Sequence, residues 1–114
     1  MKTGIELIAE ERQRQIEKEG WTPEHDDQHE GDELAFAAAC YSIPGKRRSM
    51  SLAGYRRGQT LLQCLWPFDL SWWKPTPENR VKELTKAGAF NAAEIDRLLR
   101  KIEREKKEQE AANG

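Results

Sequence analysis

Apolar residues recur at helical spacing in three stretches of the chain. Between residues 5 and 19, Ile5, Ile8, Ala9 and Ile16 alternate with Glu, Arg and Gln, all strong helix formers, and Gly20 supplies a stop signal. Trp21 follows as a bulky anchor suited to packing back on the last turn. A second helix is expected from Asp32 to Tyr41, where Leu34-Ala35-Phe36-Ala37-Ala38-Ala39-Cys40 is apolar on nearly every side. Its alanines keep it thin, so neighbouring helices can approach its backbone, as the centre of a bundle requires. A third helix is expected after Thr76 and Pro77, read as cap and first-turn residues. Its apolar positions Val81, Leu84, Gly88, Ala92, Ile95, Leu98, Leu99 and Ile102 recur every three or four residues, which predicts one continuous buried stripe.

The connections carry their own signals. Thr22 and Pro23 repeat the cap logic ahead of a polar, turn-rich segment that ends at Gly31. Four of the nine aromatic residues, Trp66, Phe68, Trp72 and Trp73, fall among Pro67, Pro75 and Pro77, and such a loop can pack as an ordered cover over the core. Beyond Ile102 the residues are charged, in the pattern of a fraying helical tail. Nothing predicts a strand. The pattern is that of an all-α protein, a small bundle of three main helices completed by dimerisation. Residues 1–102 form one helical domain and 103–114 a charged, fraying or disordered tail.

Length and composition narrow this further. A chain of 114 residues leaves no room for two ordinary domains. A formal charge of -1 excludes a polycation that finds DNA or an anionic membrane by net charge alone. The longest apolar runs fall short of the roughly 20 residues a membrane-crossing helix needs. The first residues lack the unbroken apolar stretch of a secretion signal, so a cytoplasmic protein is expected. Cys40 and Cys64 lack CxxC spacing and read as two reduced structural thiols.

Charge is segregated along the chain. Residues 1–33 hold eleven acids and four bases, whereas residues 44–60 hold five bases and no acid. Gly45, Gly54 and Gly58 in the basic stretch suggest a mobile surface loop. Arg12 shares a face with Ile5, Ile8 and Ile16, and an arginine buried there needs an acidic partner.

The candidate chemistry gathers at His25-Asp26-Asp27-Gln28-His29-Glu30-Gly31-Asp32-Glu33, where both histidines sit among five carboxylates. Carboxylates this dense either face water or collect a cation, and oxygen-rich clusters favour Mg²⁺ or Mn²⁺. The alternative is a solvated acidic loop with Asp32 capping the next helix. Glu30 and Glu33 share a face if that helix begins by residue 30. Asn91 and Glu94 offer a second pair, against which stands an ordinary pairing of Glu94 with Arg97 or Arg100. The bases Arg47, Arg48, Arg56 and Arg57 suit a phosphate clamp, a weak nucleic-acid contact or plain solubility. No zinc-finger or glycine-rich phosphate motif supports sequence-specific DNA reading.

Glu11-Arg12-Gln13-Arg14-Gln15-Ile16, Glu19-Gly20-Trp21-Thr22, His25-Asp26-Asp27, Trp66-Pro67-Phe68 and Trp73-Lys74-Pro75 together resemble a pattern shared by small proteins of phages and prophages. Lys86-Ala87-Gly88-Ala89 and Ala93-Glu94-Ile95 continue it. More distantly, the chain is similar to the MazG-like nucleotide pyrophosphohydrolases, all-α enzymes that hold Mg²⁺ with a Glu-x-x-Glu pair and a Glu-x-x-Asp pair. Glu30 and Glu33 match the first pair in spacing; Asn91 and Glu94 match the second only loosely. That resemblance implies Glu30, Glu33 and Glu94 as metal ligands, with Asp27 a further one, in a site between subunits of a dimer. It implies a metal-activated water attacking the α-phosphorus of a nucleoside triphosphate, with His25, His29 or the carboxylate Asp27 taking the proton. Arg47 or Arg56 would then neutralise outer phosphates and an aromatic such as Trp73 would hold the base. The competing expectation is a phage accessory protein that binds a host protein through its acidic third and aromatic loop, without enzymatic activity.

Overall fold

A computed structural model describes residues 1–51 and 59–114 and shows several helices packed together, with no extended sheet among those residues. Helix α1, Gly4–Glu19, begins with a capping box in which the Thr3 hydroxyl accepts from the Glu6 N–H and the Glu6 carboxylate accepts from the Thr3 N–H. It ends at Gly20, whose φ of 75° is open to glycine at little cost. Thr22 caps the short α2, Pro23–Asp26, with proline in its first turn. Helix α3, Glu33–Ser42, follows Asp32, which has a φ of 67° and makes no side-chain cap. Two short helices, α4 (Gly45–Arg48) and α5 (Leu61–Leu65), and a 3-10 turn at Leu70–Trp72 lead to α6, Arg80–Asn113. The 34 residues of α6 span about 51 Å at 1.5 Å per residue, nearly the 55 Å length of the molecule. Its first turn is capped by Asn79, while Thr76 and Pro77 form the preceding turn. Residues 101–114 lie wholly exposed.

The core forms where α3 lies on α6. Leu34, Ala37, Ala38, Cys40 and Tyr41 meet Ala87, Phe90 and Ala93, and Trp21 and Trp66 close the cluster. Phe68 and Trp73 pack against it, as expected of the aromatic segment. Trp21 meets Phe90 and Phe68 edge-on, each with ring centroids 5.3 Å apart. Both cysteines are free, Cys40 buried and Cys64 half-buried.

Helix α6 is inverted relative to its expected orientation. The predicted stripe faces outward: Val81 is 64% exposed, Leu84 47%, Ile95 58%, Leu98 41%, Leu99 57% and Ile102 58%. The inner face carries Glu83, Lys86, Ala87, Ala89, Phe90, Ala93, Glu94 and Arg97. Helix α3 is thin, so a close approach needs Ala87 and Ala93 opposite it, and a row of Leu and Ile would hold the two axes apart. Gly88, in contrast, meets α1. A Cβ there would fall 2.7 Å from Ile8 Cγ1 and still closer to Cδ1.

The charged groups on the inner face have partners. Glu83, fully buried, accepts from Arg48 Nη1 at 2.8 Å, from the Thr76 N–H at 3.1 Å and from Arg80 Nη1 at 3.3 Å. Those two arginines donate in turn to the last carbonyls of α3. Arg48 reaches Cys40 and Tyr41, and Arg80 reaches Tyr41, Ser42 and Ile43. One carboxylate thus holds two cations over the negative end of α3, where the helix dipole favours them. Arg48 is therefore a buried structural side chain, and Gly45–Arg48 is helical rather than part of a loop with little fixed structure.

Candidate functional site

Three elements position the acidic segment. α2 presents His25 and Asp26, the turn after it presents Asp27 and His29, and α3 begins with Glu33. Asp26 is completely buried and accepts from Arg12 Nη2 at 2.5 Å, while Arg12 Nη1 donates to the Trp21 carbonyl. This is the acidic partner that Arg12 requires from its place on α1. Asp27 accepts from Arg100 Nη2 at 2.7 Å and lies 3.6 Å from Arg104. Glu94 is buried in a two-bond pairing with Arg97, at 2.6 and 3.0 Å.

The expected ligands do not converge on a cation pocket. Among the described residues no group of three or more His, Cys, Asp or Glu could hold a metal ion. Glu30 lies outside α3, exposed, so it does not share a helix face with Glu33. Glu33 sits 3.4 Å from His29 Nδ1 instead. Guanidinium groups take the place anticipated for a divalent ion. The Glu94 hydrogen bond raises the pKa of Arg97 against the effect of burial, and the charges of Glu94, Glu30 and Asp32 add to it. Glu30, Asp32 and Glu94 thus contribute to one field, but its centre is an arginine. The metal-binding expectation, with Glu30, Glu33, Glu94 and Asp27 as ligands of Mg²⁺ or Mn²⁺, is corrected accordingly.

The expected catalytic and phosphate-binding groups, so far as they are described, do not gather into one site. The imidazoles of His25 and His29 pack edge to face, centroids 4.9 Å apart, and both lie against Trp21. His25 Nδ1 and Asp26 Oδ1 stand 3.9 Å apart, too far for a hydrogen bond. Arg47 is exposed and points to Met50 Sδ at 3.8 Å. Trp73 packs on Tyr41 with 4.6 Å between centroids and lies under the Arg48 guanidinium. Arg56, with the rest of the basic stretch from residue 52 to 58, lies outside the described residues.

The pairing of Glu94 with Arg97 is the alternative that their spacing of three offered, and sequence reasoning missed only the counter-ions of Asp27: Arg100 and Arg104 reach it from 73 and 77 positions away in sequence, a meeting that only the packing of α2 on α6 creates.

No protein-family model, no curated protein and no solved structure matches the chain. The comparisons thus give no support to the phage, hydrolase or nucleotide-binding expectations, and with the geometry against a metal centre these are withdrawn. Among the described residues no helix is long and apolar enough to cross a membrane.

The paired acids set an expected pH response. Burial pushes the Glu83 carboxyl up, but the hydrogen bond and charge of Arg48, the Thr76 N–H and Arg80 outweigh it and hold its pKa below the ordinary value. The Arg100 hydrogen bond lowers Asp27 against burial, and the charges of Arg100 and Arg104 reinforce it. Both acids contribute stability above the unfolded carboxylate pKa that is lost as pH falls through their lowered folded values. Burial raises Asp26 despite Arg12, so its contribution has the opposite sign and is lost as pH rises through its raised value. Two lowered acids against one raised make acid the destabilising direction. Thermal melts are expected to hold steady near neutrality and to fall below pH ~4, with a shallower fall in Glu83→Gln. A melting temperature that climbs on acidification to pH ~3 would contradict this balance.

Proposed function

We propose that the protein is an interaction module without enzymatic activity, and that it assembles with a second copy of itself through the outer face of α6. The observation that carries this reading is the inversion of that helix. Its large aliphatic side chains face solvent while Glu83, Glu94 and Arg97 are paired inside, so the exposed stripe is not a remainder of an unfinished core. Val81, Leu84, Gly88, Asn91, Ile95, Leu98 and Ile102 follow one another at alternating steps of three and four, the seam of a two-stranded helical contact. Gly88 is already occupied by Ile8, which leaves the turns from Asn91 to Ile102 as the open part.

Charge decides how two copies meet. A parallel pairing would set Lys101 against Lys106 of the second copy across the seam. An antiparallel pairing avoids that and is self-complementary about a two-fold axis: Ile95 faces Leu98 of the second copy, and Leu99 lies beside its small Ala92.

Light scattering across a concentration series tests the assignment. The chain is expected at twice its 13.2 kDa mass at high concentration. The double variant Leu98→Glu/Ile102→Glu is expected at the single mass, with unchanged helix content because both side chains are exposed. Association that is as tight in this variant as in the parent, or a parent that is monomeric at every concentration, overturns the reading.

A further inference from the structure

A second feature is independent of the α6 seam. Between α1, the aromatic segment and α6 lies a cavity of about 380 Å³. Four buried rings, Trp21, Tyr41, Trp66 and Phe90, wall it, and the half-exposed Trp72 stands at its edge. This volume lies within the range of small-molecule sites, and its wall is shared about equally between aromatic rings and polar or charged side chains.

Two buried polar side chains line the same cavity with hydrogen-bonding capacity unused. Gln15 is 1% exposed, and its Oε1 has no donor among the described residues. Its Nε2 makes only a long 3.4 Å contact to Glu11. Lys86 is 8% exposed, donates once, to the Lys74 carbonyl at 3.1 Å, and lies 5.4 Å from the centre of the Tyr41 ring. An ammonium has three donors, so two remain. Arg14, another cation of the lining, is occupied by Glu11 and Glu19, and those two acids are in turn occupied by it. A buried cation without a contact anion and a buried acceptor without a donor are each costly, and a ligand that supplied both would remove both costs.

We propose that this cavity binds a small planar aromatic acid carrying a ring N–H, with the ring among the tryptophans, the carboxylate on Lys86 Nζ and the N–H on Gln15 Oε1. Stacked and edge-on rings give the body of the ligand its affinity with modest selectivity, and the two polar groups give it orientation. Burial, with Lys82 adding to it, lowers the pKa of Lys86 against Glu11 and Glu19, so binding weakens as pH rises toward the point where the ammonium loses its proton.

Calorimetric titration with three probes separates the contributions. Indole-2-carboxylate has both groups, benzofuran-2-carboxylate lacks the N–H, and indole lacks the acid. Indole-2-carboxylate is expected to bind with a Kd of order 0.1 mM, and each of the other two about tenfold more weakly. In Lys86→Met the acid and indole become equal within about threefold, and in Gln15→Met the two carboxylates become equal, each variant retaining the parent's circular dichroism. The Gln15 variant fills its own site with an unbranched apolar chain and keeps the test valid if Lys86→Met folds poorly. Absence of saturable binding of indole-2-carboxylate to the parent protein, or undiminished discrimination in a folded variant, overturns the proposal.

Discussion

Replacing Glu83 with alanine is expected to cost about 3–5 kcal/mol, a fall in melting temperature of roughly 12 °C or more for a chain of this size. The carboxylate is fully buried and is the shared acceptor for Arg48, Arg80 and the Thr76 N–H. Without it Arg48, itself 6% exposed, remains as a buried cation with only carbonyl partners. The two guanidinium groups then repel each other across the end of α3, and the carbonyls of Tyr41 to Ile43 lose donors that were held in place. Glu83→Gln keeps the size and one acceptor oxygen and should lose less. Urea denaturation of both variants, beside Glu78→Ala as an exposed control expected within about 0.5 kcal/mol of the parent, measures the difference. A Glu83→Ala midpoint indistinguishable from the control would show that this buried network is not what ties α3 to the start of α6.

Arg12→Ala is expected to be comparably damaging, at about 3–5 kcal/mol near neutral pH, because it strips from a carboxylate with no solvent exposure the only side-chain hydrogen-bond partner it has among the described residues. Among the described residues Asp26 Oδ1 already lacks a partner, so the remaining network cannot absorb the loss. The deficit has a pH signature. Burial raises the Asp26 pKa even with Arg12 present, and removing Arg12 raises it further, so protonation relieves the unpaired charge as pH falls. The gap between Arg12→Ala and the parent should therefore be wide at pH ~8 and narrower at pH ~5. The double variant Arg12→Met/Asp26→Leu, apolar at both positions, should recover much of the stability, since burying neither charge avoids the desolvation that the pair must repay. A single variant whose deficit stays constant across that pH range would place the damage in lost packing of the Arg12 stem rather than in Asp26.

Local structure was largely legible in the sequence. Gly20 ending α1, Thr22 and Pro23 opening α2, the thin alanine body of α3 and the tryptophans as core cover all follow from short-range chemistry, and each appears in the structure. The orientation of α6 was not legible from periodicity. Two faces of that helix repeat every three or four residues, one aliphatic and one made of alanines with Glu83, Lys86, Phe90, Glu94 and Arg97. Hydrophobicity selects the first, whereas closeness to α3 and the supply of counter-ions select the second. The acidic segment shows the same limit. Its need for positive charge was readable, and Arg12 was readable as a cation in want of an acid. The pairing of Glu94 with Arg97 was readable from their spacing of three, but that Arg100 and Arg104 would meet Asp27 depends on α2 lying along α6, which the spacing of the residues does not encode.

The place where Ile8 rests on Gly88 has a wider bearing than its size suggests. A single missing methyl sets how near α1 can come to its long neighbour, and α1 carries both the guanidinium over Asp26 and the amide that borders the tryptophan-walled hollow. Spacing the two rods further apart there would tilt the lever that serves both, so a neutral-looking enlargement at position 88 would be felt far from where it was made.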